Sequence, residues 1–424
     1  MKTGIITRLI SYEILLILSK ENANFDKLID NYSLRHSLSL SDRKMVQNIV
    51  LGSMRWSLHI NKIIKLYVKK KISINQKILL ISSISQLVFL DFKEYAVINS
   101  TVELAKNKKI NASPGFINAV LRNVQKNISK NKLTKVEFNE LPKWFTKTTN
   151  SWPQNKKDIF VNSILQKPSL HLVFKNTEDI NKINIDLIRT TNSSAIILNA
   201  SQISSIPMYE SGNWWVQDFS SMLPISLLKD LSGKKIIDLC SAPGGKSFQL
   251  INSGANVDCV EINKNRAKLL ESNLKRLGFN SKIIIKDALT LNEKNKYDIV
   301  ILDAPCSSVG TIRRNPEIFF RKNGPDFKQL DIIQKKLLNK SSEIVKKGGM
   351  IVYMVCSFLK FETCDQIDFF LKENKNFSIK KFADKKYNGG NQIINKRGFI
   401  STIPSVYENY NIDGFFAAKL IKND

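Results

Sequence analysis

Apolar positions in the first 128 residues recur at the three-to-four-residue spacing of amphipathic helices, and few stretches have the alternation of strands. Ser41 precedes the second such segment, and the turn at 111–115 separates the last two. The segments are LISYEILLILSK, DRKMVQNIVLGSMRWSLHINKIIKLYV, QKILLISSISQLVFL, AVINSTVELAK and GFINAVLRNVQKNI. The pattern predicts an all-helical domain over residues 1–128.

A polar connector and a region of mixed pattern follow this domain. Residues 129–140 are rich in Lys and Asn. Between 168 and 230, short apolar runs of strand length (SLHLVFK, SAIILNA, WWVQDF) accompany one helix-like piece. We interpret residues 129–230 as a linker and a small α+β module.

From residue 234 onward, short apolar runs alternate with helical stretches. The runs are KKIIDLC, NVDCVEI, SKIIIKD, KYDIVILD and GGMIVYMVC, and the helical stretches are 246–252, 263–278, 328–346 and 363–373. This alternation predicts a parallel sheet covered on both faces. The runs FSIKKFA and DGFFAAKLI are expected to add an antiparallel pair at one edge. Residues 231–424 are therefore predicted to form an α/β domain.

The net charge points to an anionic partner. Lys and Arg outnumber Asp and Glu by 65 to 37, which gives +28. Lys, Asn and Ile are abundant throughout, so general composition explains part of the surplus, but residues 104–136 contain eight basic side chains and no acidic one. We therefore favour nucleic acid. A membrane partner is not expected, because the N-terminal run ISYEILLIL contains Glu13 and is too short to span a bilayer.

The five cysteines are Cys240, Cys259, Cys306, Cys356 and Cys364. Their number is odd, their spacings are wide and no CxxC pair occurs, so neither a metal site nor a disulfide framework is expected. Reduced thiols are typical of a cytoplasmic protein.

The stretch DLCSAPGGKS at 238–247 lies between the first strand of the α/β domain and the following helix, where such folds bind ligands. Gly244 and Gly245 would let the backbone approach a ligand closely, beside the free N–H groups that begin a helix. The spacing is neither GxGxxG nor GxxxxGK[ST]. A nicotinamide dehydrogenase and a P-loop are therefore disfavoured.

Acidic residues follow three successive strands of this domain. Glu261 ends the second strand and is suited to accept hydrogen bonds from ribose hydroxyls. Asp287 ends the third strand and is suited to accept a hydrogen bond from an adenine amine, and Asp303 ends the fourth strand. Each could instead cap a turn or helix, but three such positions in succession favour a nucleoside-binding edge.

Cys306 and Cys356 follow the fourth and fifth strands. Neighbouring strand ends lie about 5 Å apart, so both thiols can face one pocket beside the glycine loop. The other three cysteines are interpreted as small buried side chains.

The stretches DLCSAPGGKS, DAPCSSVGTIRRNPE and VYMVCS resemble the motifs of the RNA 5-methylcytosine methyltransferases, which use S-adenosylmethionine. Val355 stands where that family has Thr, whereas the adjacent Cys356 is retained. The segment GNWWVQDFSSM at 212–222 also resembles the family, and the resemblance covers roughly residues 140–422. The helical N-terminal part, with NAVLRNV near its end, is similar to the RNA-binding fold of NusB.

The resemblance implies a class I S-adenosylmethionine-dependent methyltransferase with a Rossmann-like, seven-stranded, mostly parallel sheet, preceded by an all-α NusB-like domain and the small module. The implied cofactor-binding residues are Cys240, Ser241, Ala242, Pro243, Gly244, Gly245, Lys246, Glu261, Asp287 and Asp303.

The resemblance also implies the catalytic roles. Cys356 would add to C6 of a cytosine, Asp303 would hydrogen-bond the base, and Cys306 would assist product release. Lys246 is one cation that could favour the thiolate. Arg313 and Arg314 either contact the RNA backbone or lie in a solvated loop.

Taken together, the two parts resemble the methyltransferases that modify small-subunit ribosomal RNA. The expected reaction is methylation of cytosine C5 in 16S ribosomal RNA, by a cytoplasmic monomer without a metal. Transfer RNA or large-subunit RNA is an alternative substrate. A catalytically idle RNA-binding assembly factor is a further alternative, which the paired cysteines disfavour.

Overall fold

The computed structural model describes residues 3–21, 23–198, 202–321, 323–383, 393–408 and 410–423. The chain divides into two compact units. The first unit contains Met1–Gln166 and Ile312–Pro325, and the second contains Lys167–Thr311 and Asp326–Asp424.

The helices of the described residues are numbered in chain order. They are α1 (Thr3–Lys20), α2 (Phe25–Arg35), α3 (Leu40–Arg55), α4 (Ser57–Tyr67), α5 (Ile74–Ile84), α6 (Glu94–Ala105), α7 (Pro114–Lys126), α8 (Ile128–Lys132), α9 (Lys143–Thr148), α10 (Gln154–Ile164), α11 (Asp179–Lys182), α12 (Phe219–Ser226), α13 (Gly245–Asn252), α14 (Lys264–Leu277), α15 (Glu317–Phe320), α16 (Phe327–Ile344) and α17 (Cys364–Glu373).

The strands are numbered in the same way. They are β1 (Leu170–Phe174), β2 (Leu187–Thr191), β3 (Ser194–Ile197), β4 (Trp214–Val216), β5 (Lys235–Leu239), β6 (Asn256–Val260), β7 (Lys282–Ile284), β8 (Tyr297–Asp303), β9 (Val345–Val355), β10 (Phe377–Lys380), β11 (Ile400–Thr402), β12 (Ser405–Tyr407), β13 (Tyr410–Ile412) and β14 (Phe415–Lys422).

The first unit is helical, as the 3.6-residue pattern predicts. Its core surrounds α1, on which Ile14, Leu15 and Leu18 are fully buried. The second predicted helical segment is divided into α3 and α4, because the backbone leaves the helical region at Trp56, which stacks on Phe89 with ring centroids 4.2 Å apart. The amphipathic first helix is therefore a core element of this unit, and no helix within the described residues is long and apolar enough to cross a bilayer.

Helix α2 was not among the predicted segments. Its apolar positions are few, and only Phe25 and Ile29 are buried. Its start is marked by Asn24, whose side chain accepts a hydrogen bond from the backbone N–H of Lys27 at 3.0 Å. A helix with so narrow an apolar face is identified more readily from its cap than from its periodicity.

The second unit begins with a four-stranded antiparallel sheet in the order β2-β3-β1-β4. Three of these strands coincide with predicted strand-like runs, but β2 does not. In β2, Leu187 and Ile188 are half-buried and Arg189 is exposed, so burial does not alternate along the strand. Its pairing with β3 decides its conformation.

The main sheet of the second unit has the order β10-β14-β9-β8-β5-β6-β7, and β11 also pairs with β14. Strands β7, β6, β5, β8 and β9 are mutually parallel, whereas β14 is antiparallel to β9 and to β10. The predicted mostly parallel sheet with an antiparallel edge is therefore confirmed, but β11 makes it eight-stranded rather than seven-stranded. The carboxyl ends of β5, β6, β8 and β9 meet at one edge of this sheet, since parallel neighbours end together.

Candidate active site

The loop after β5 has an unusual backbone. Cys240 has φ +65°, Gly244 has φ +116°, and the Ala242–Pro243 peptide bond is cis. A Cβ on Gly244 would lie 2.0 Å from the ring of Phe248. Only glycine satisfies both the left-handed conformation and this close approach, so the loop takes its shape from this residue before α13 begins.

This loop forms most of a cavity of about 140 Å³. Seven of the ten predicted cofactor-binding residues line it, and Gly244, Glu261 and Asp287 are not part of its lining. The seven are Cys240, Ser241, Ala242, Pro243, Gly245, Lys246 and Asp303, and the further lining residues, which sequence reasoning missed, are Val216, Gln217, Ser221 and Asp238.

Asp238 lies within β5 and is fully buried. One of its carboxylate oxygens accepts a hydrogen bond from the Ser247 hydroxyl, and the other, Oδ1, has no hydrogen-bond partner among the described residues. Burial raises the pKa of Asp238 to about 7. The signal that could have found it is the placement of an acid inside an otherwise apolar strand.

Gln217 supports the opposite wall of the cavity. Its Oε1 accepts from the indole N–H of Trp215 at 2.8 Å, and its Nε2 donates to Gln249 Oε1 at 2.7 Å. A Cβ on Gly245 would lie 3.2 Å from the Gln217 side chain. The segment before α12 and the glycine loop are therefore packed against each other.

Two of the three predicted acids also serve their own turns. Glu261 directly follows β6, is 2% exposed, and accepts the backbone N–H of Asn263 at 2.9 Å. The prediction that Asp287 ends its strand is wrong, because β7 ends at Ile284 and Asp287 caps the next turn through the N–H of Leu289. Strand β7 is shorter than the run SKIIIKD that predicted it, since Ile285 is exposed.

The carboxylate of Asp303 and the ammonium of Lys246 form an ion pair at the edge of the cavity. Lys246 Nζ lies 2.6 Å from Asp303 Oδ2, and the Asp303 side chain remains 31% exposed. Burial acts to lower the pKa of Lys246, but the charge of Asp303 outweighs it, so the pKa is raised. Lys246 is therefore charged at neutral pH, and Asp303 retains an oxygen for another donor.

The two thiols predicted to share a pocket do so. Cys306 Sγ and Cys356 Sγ are 3.2 Å apart, well beyond a disulfide bond length of about 2.05 Å, and both cysteines are free. The hydrogen bond from Cys306 lowers the pKa of Cys356, assisted by Ser308 and Lys246 and opposed by burial and by Asp303. The same hydrogen bond, together with burial, raises the pKa of Cys306 well above its usual value.

The remaining cysteines differ from this pair. Burial raises the pKa of Cys240 to about 12 and that of Cys259 to about 11, so neither is a ready thiolate. Cys364 begins α17, and burial raises its pKa as well. Of the five thiols, only that of Cys356 has a lowered pKa.

The structure corrects the interpretation of Arg313. Its side chain is 1% exposed, and its carbonyl oxygen accepts a hydrogen bond from Arg55 at 2.9 Å. It is therefore neither a phosphate contact nor part of a solvated loop. Arg314 is half-buried.

The residues around the glycine loop fit S-adenosylmethionine. Oε2 of Glu261 is buried without a hydrogen-bond partner among the described residues, although Arg266 lies 3.5 Å away, so this oxygen can accept a ribose hydroxyl. Oδ1 of Asp238 is a second buried acceptor, and it lies at the cavity. Within the described residues, no group of three or more His, Cys, Asp or Glu side chains is arranged to hold a metal ion.

Replacing Gly244 with alanine is expected to abolish this loop conformation. The left-handed φ costs about 1–3 kcal/mol for a non-glycine residue, and the clash with Phe248 adds to it. We expect a lower melting temperature and at least a tenfold loss of S-adenosylmethionine affinity, measured by thermal unfolding and calorimetry. Gly233→Ala is the matched control, because Gly233 has φ +73° and open space around its Cβ position. Equal effects of the two changes would contradict the prediction.

Two regions of the chain match known protein families. Residues 225–421 match the family described as 16S rRNA methyltransferase RsmB/F, and residues 6–126 match the NusB family.

Whole-chain similarity leads to the same family. The chain is 31% identical over 415 residues to ribosomal RNA small subunit methyltransferase B of Photorhabdus laumondii subsp. laumondii, with 92% of each chain covered. It is 28% identical over 408 residues to the protein of that name from Shewanella oneidensis, again with 92% of each covered.

Solved structures share the fold. The crystal structure of PH0851 superimposes with a TM-score of 0.73 at 20% identity and covers 100% of this chain and 99% of its own. NSun6 from Pyrococcus horikoshii with SFG gives a TM-score of 0.57 at 17% identity and covers 67% of this chain and 98% of its own. On the match of its α/β region and its identity with a relative over nearly the whole length, the chain belongs to the 16S rRNA methyltransferase RsmB/F family.

Proposed function

We propose that this protein methylates C5 of a cytosine in small-subunit (16S) ribosomal RNA. The observation that carries the proposal is the pair of thiols 3.2 Å apart, beside the Lys246–Asp303 ion pair at one sheet edge. A binding protein without catalysis has no need for a thiol of lowered pKa next to a protonated one. The names of the relatives support the choice of ribosomal RNA.

Cys356 is the proposed nucleophile. C5 of cytosine is a poor nucleophile because the ring is electron-deficient. When the Cys356 thiolate forms a bond to C6, the electron pair of the C5–C6 double bond becomes available at C5. The lowered pKa of Cys356 increases the thiolate fraction at neutral pH.

Asp303 is proposed to orient the base. The oxygen that Lys246 does not hold can accept a hydrogen bond from the exocyclic amine of the cytosine. Lys246 holds the other oxygen at 2.6 Å, which restricts the rotation of the carboxylate. Lys246 also contributes to the lowered pKa of Cys356, so one cation serves both groups.

When bound, S-adenosylmethionine supplies an electrophilic methyl group to C5. We propose that Cys240–Lys246 and Asp303 hold it, with Glu261 at the ribose and Asp287 near the adenine. After transfer, the C5 proton passes to solvent water, the electron pair of the C5–H bond re-forms the C5–C6 double bond, and the Cys356 sulfur leaves C6 as a thiolate. Cys306 lies within hydrogen-bond distance of the departing sulfur and can assist this release.

The first unit is proposed to bind the RNA backbone through a basic surface. This surface consists of the basic residues between 104 and 136, on α7, on α8 and in the segments directly before α7 and after α8, and all eight side chains are exposed. They are Lys106, Lys108, Lys109, Arg122, Lys126, Lys130, Lys132 and Lys135.

Neutralising part of the basic surface should weaken RNA binding and reduce its salt dependence. With Lys108, Lys109, Lys126 and Lys130 changed to Gln, the slope of log K against log salt should fall in magnitude by up to about 3, because each contact to single-stranded RNA contributes about 0.7. Filter binding at several salt concentrations measures the slope. Four exposed lysines of the second unit, Lys347, Lys372, Lys375 and Lys380, provide the control. An equal slope for both sets would place the RNA contacts elsewhere.

Mapping 5-methylcytosine in ribosomal and transfer RNA by mass spectrometry, in cells with and without this protein, tests the substrate. Loss of one site in small-subunit RNA is expected. Loss in transfer RNA or large-subunit RNA would favour the alternative substrates, and unchanged modification would favour an assembly factor.

We further infer that the protein works as a cytoplasmic monomer without a metal. All five cysteines are free thiols, as expected in a reducing compartment.

A further inference from the structure

A buried carboxylate lies behind the two thiols. Glu362 is 0% exposed and ends the short turn Lys360–Glu362 between β9 and α17. A fully buried charge is costly unless several donors compensate it. The burial of Glu362 must therefore be compensated by the groups that donate hydrogen bonds to it.

Four hydrogen bonds reach this carboxylate from both thiol-bearing loops and from α16. The backbone N–H of Ser307 donates to Oε1 at 2.7 Å, and the Ser307 hydroxyl donates to Oε2 at 2.5 Å. The Ser357 hydroxyl also donates to Oε2 at 2.5 Å, and Gln334 Nε2 donates to Oε1 at 3.2 Å. Tyr353 fixes the turn itself by donating to the Glu362 carbonyl at 2.8 Å.

The bound serines are the immediate neighbours of the thiols. Ser307 follows Cys306, and Ser357 follows Cys356, although the two cysteines are 50 residues apart in the sequence. One carboxylate thus connects two loops that end different strands. Moving either loop would change the Sγ–Sγ separation and break a bond to a buried charge.

We propose that Glu362 is a positioning residue that holds the two thiols as an unequal pair, with Cys306 as the protonated partner and Cys356 as the nucleophile. The catalytic role of Glu362 rests on the proposed methyl transfer. The difference in reactivity between the two thiols is a property of the protein without substrate.

The charges facing the pair support this assignment. The hydrogen bond to Cys356 and burial raise the pKa of Cys306, and the negative charge of Glu362 acts in the same direction. Cys356 instead faces Asp303 and the cation of Lys246. The surroundings thereby give two chemically identical thiols different pKa values.

The test is the change Glu362→Gln in the full-length protein, with iodoacetamide as the probe and mass spectrometry to measure alkylation at each cysteine. Wild type should react mainly at Cys356. In the variant, the ratio of modified Cys356 to modified Cys306 should fall about tenfold, as expected if the separation of the two pKa values shrinks by one unit. An unchanged ratio, or a parallel change in both rates, would overturn the proposal.

Gln366→Ala is the matched control. Gln366 is 1% exposed and donates to Asp331 at 2.7 Å and to the Phe361 carbonyl at 3.0 Å, and neither of these bonds reaches a cysteine or serine of the thiol pair. Its alkylation ratio should remain that of wild type. If Glu362→Gln does not fold, Ser357→Ala removes one donor and should lower the ratio about threefold, and no change in that variant would equally overturn the proposal.

Alkylation requires neither RNA nor S-adenosylmethionine, so the test stands even if the proposed function fails. If methyl transfer is observed, Glu362→Gln should lower kcat and leave the KM for S-adenosylmethionine unchanged, because Glu362 does not line the cofactor cavity.

Discussion

Changing Cys356 to alanine is expected to reduce methyl transfer by more than about a thousandfold, the scale on which loss of a covalent nucleophile acts. Without the sulfur, no bond to C6 forms and C5 remains unreactive. The affinity for S-adenosylmethionine should remain within about twofold, since Cys356 is not among the residues that line the cofactor cavity. Transfer of a radiolabelled methyl group to ribosomal RNA measures the first effect, and calorimetry the second.

Cys364→Ala is the control for this prediction. Cys364 is a half-buried free thiol of the same unit and begins α17. Its removal should leave methyl transfer within about twofold of wild type. Retained turnover in Cys356→Ala would refute the assignment of the nucleophile, and equal losses in both variants would indicate damage to the fold.

Changing Cys306 to alanine is expected to trap a covalent complex of protein and RNA. The Cys306 thiol lies 3.2 Å from the sulfur of Cys356, where it can assist the elimination that releases the methylated base. Without it, the bond between Cys356 and C6 should persist long enough to appear as a slowly migrating band on a denaturing gel. Multiple turnover should fall by at least about a hundredfold, the size typical of lost acid–base assistance.

The double variant Cys306→Ala, Cys356→Ala shows whether the band depends on the nucleophile. It should give no covalent complex, because the sulfur that would bond to C6 is absent. A Cys306→Ala protein with full turnover and no adduct would remove Cys306 from the release step.

The order of helices and strands could be predicted from the sequence because it depends on local patterns of apolar and polar residues. The predicted helices at 246–252, 263–278, 328–346 and 363–373 agree closely with α13, α14, α16 and α17. Agreement was poorer where burial depends on distant partners, as in β2. The division at residues 128 and 230 stays a prediction: the structure groups Met1–Gln166 with Ile312–Pro325, a pairing no local pattern indicates.

Part of the candidate site could be predicted from the positions at which strands end in the sequence. Because Cys306 and Cys356 follow neighbouring parallel strands, their proximity can be inferred from the order of those strands in the sequence. The assigned roles of the site residues remain proposals, but the structure brings Lys246, Asp303 and both thiols to one edge.

By itself, the sequence determined the fold, the glycine loop and the proximity of the two thiols, since periodicity and strand-end positions depend only on neighbouring residues. Only the tertiary structure decided that Arg313 is buried, that Asp238 has an unsatisfied oxygen at the cavity, and that Glu362 joins the two thiol loops. Burial and hydrogen bonding arise from segments far apart in the chain, so no local pattern contains them.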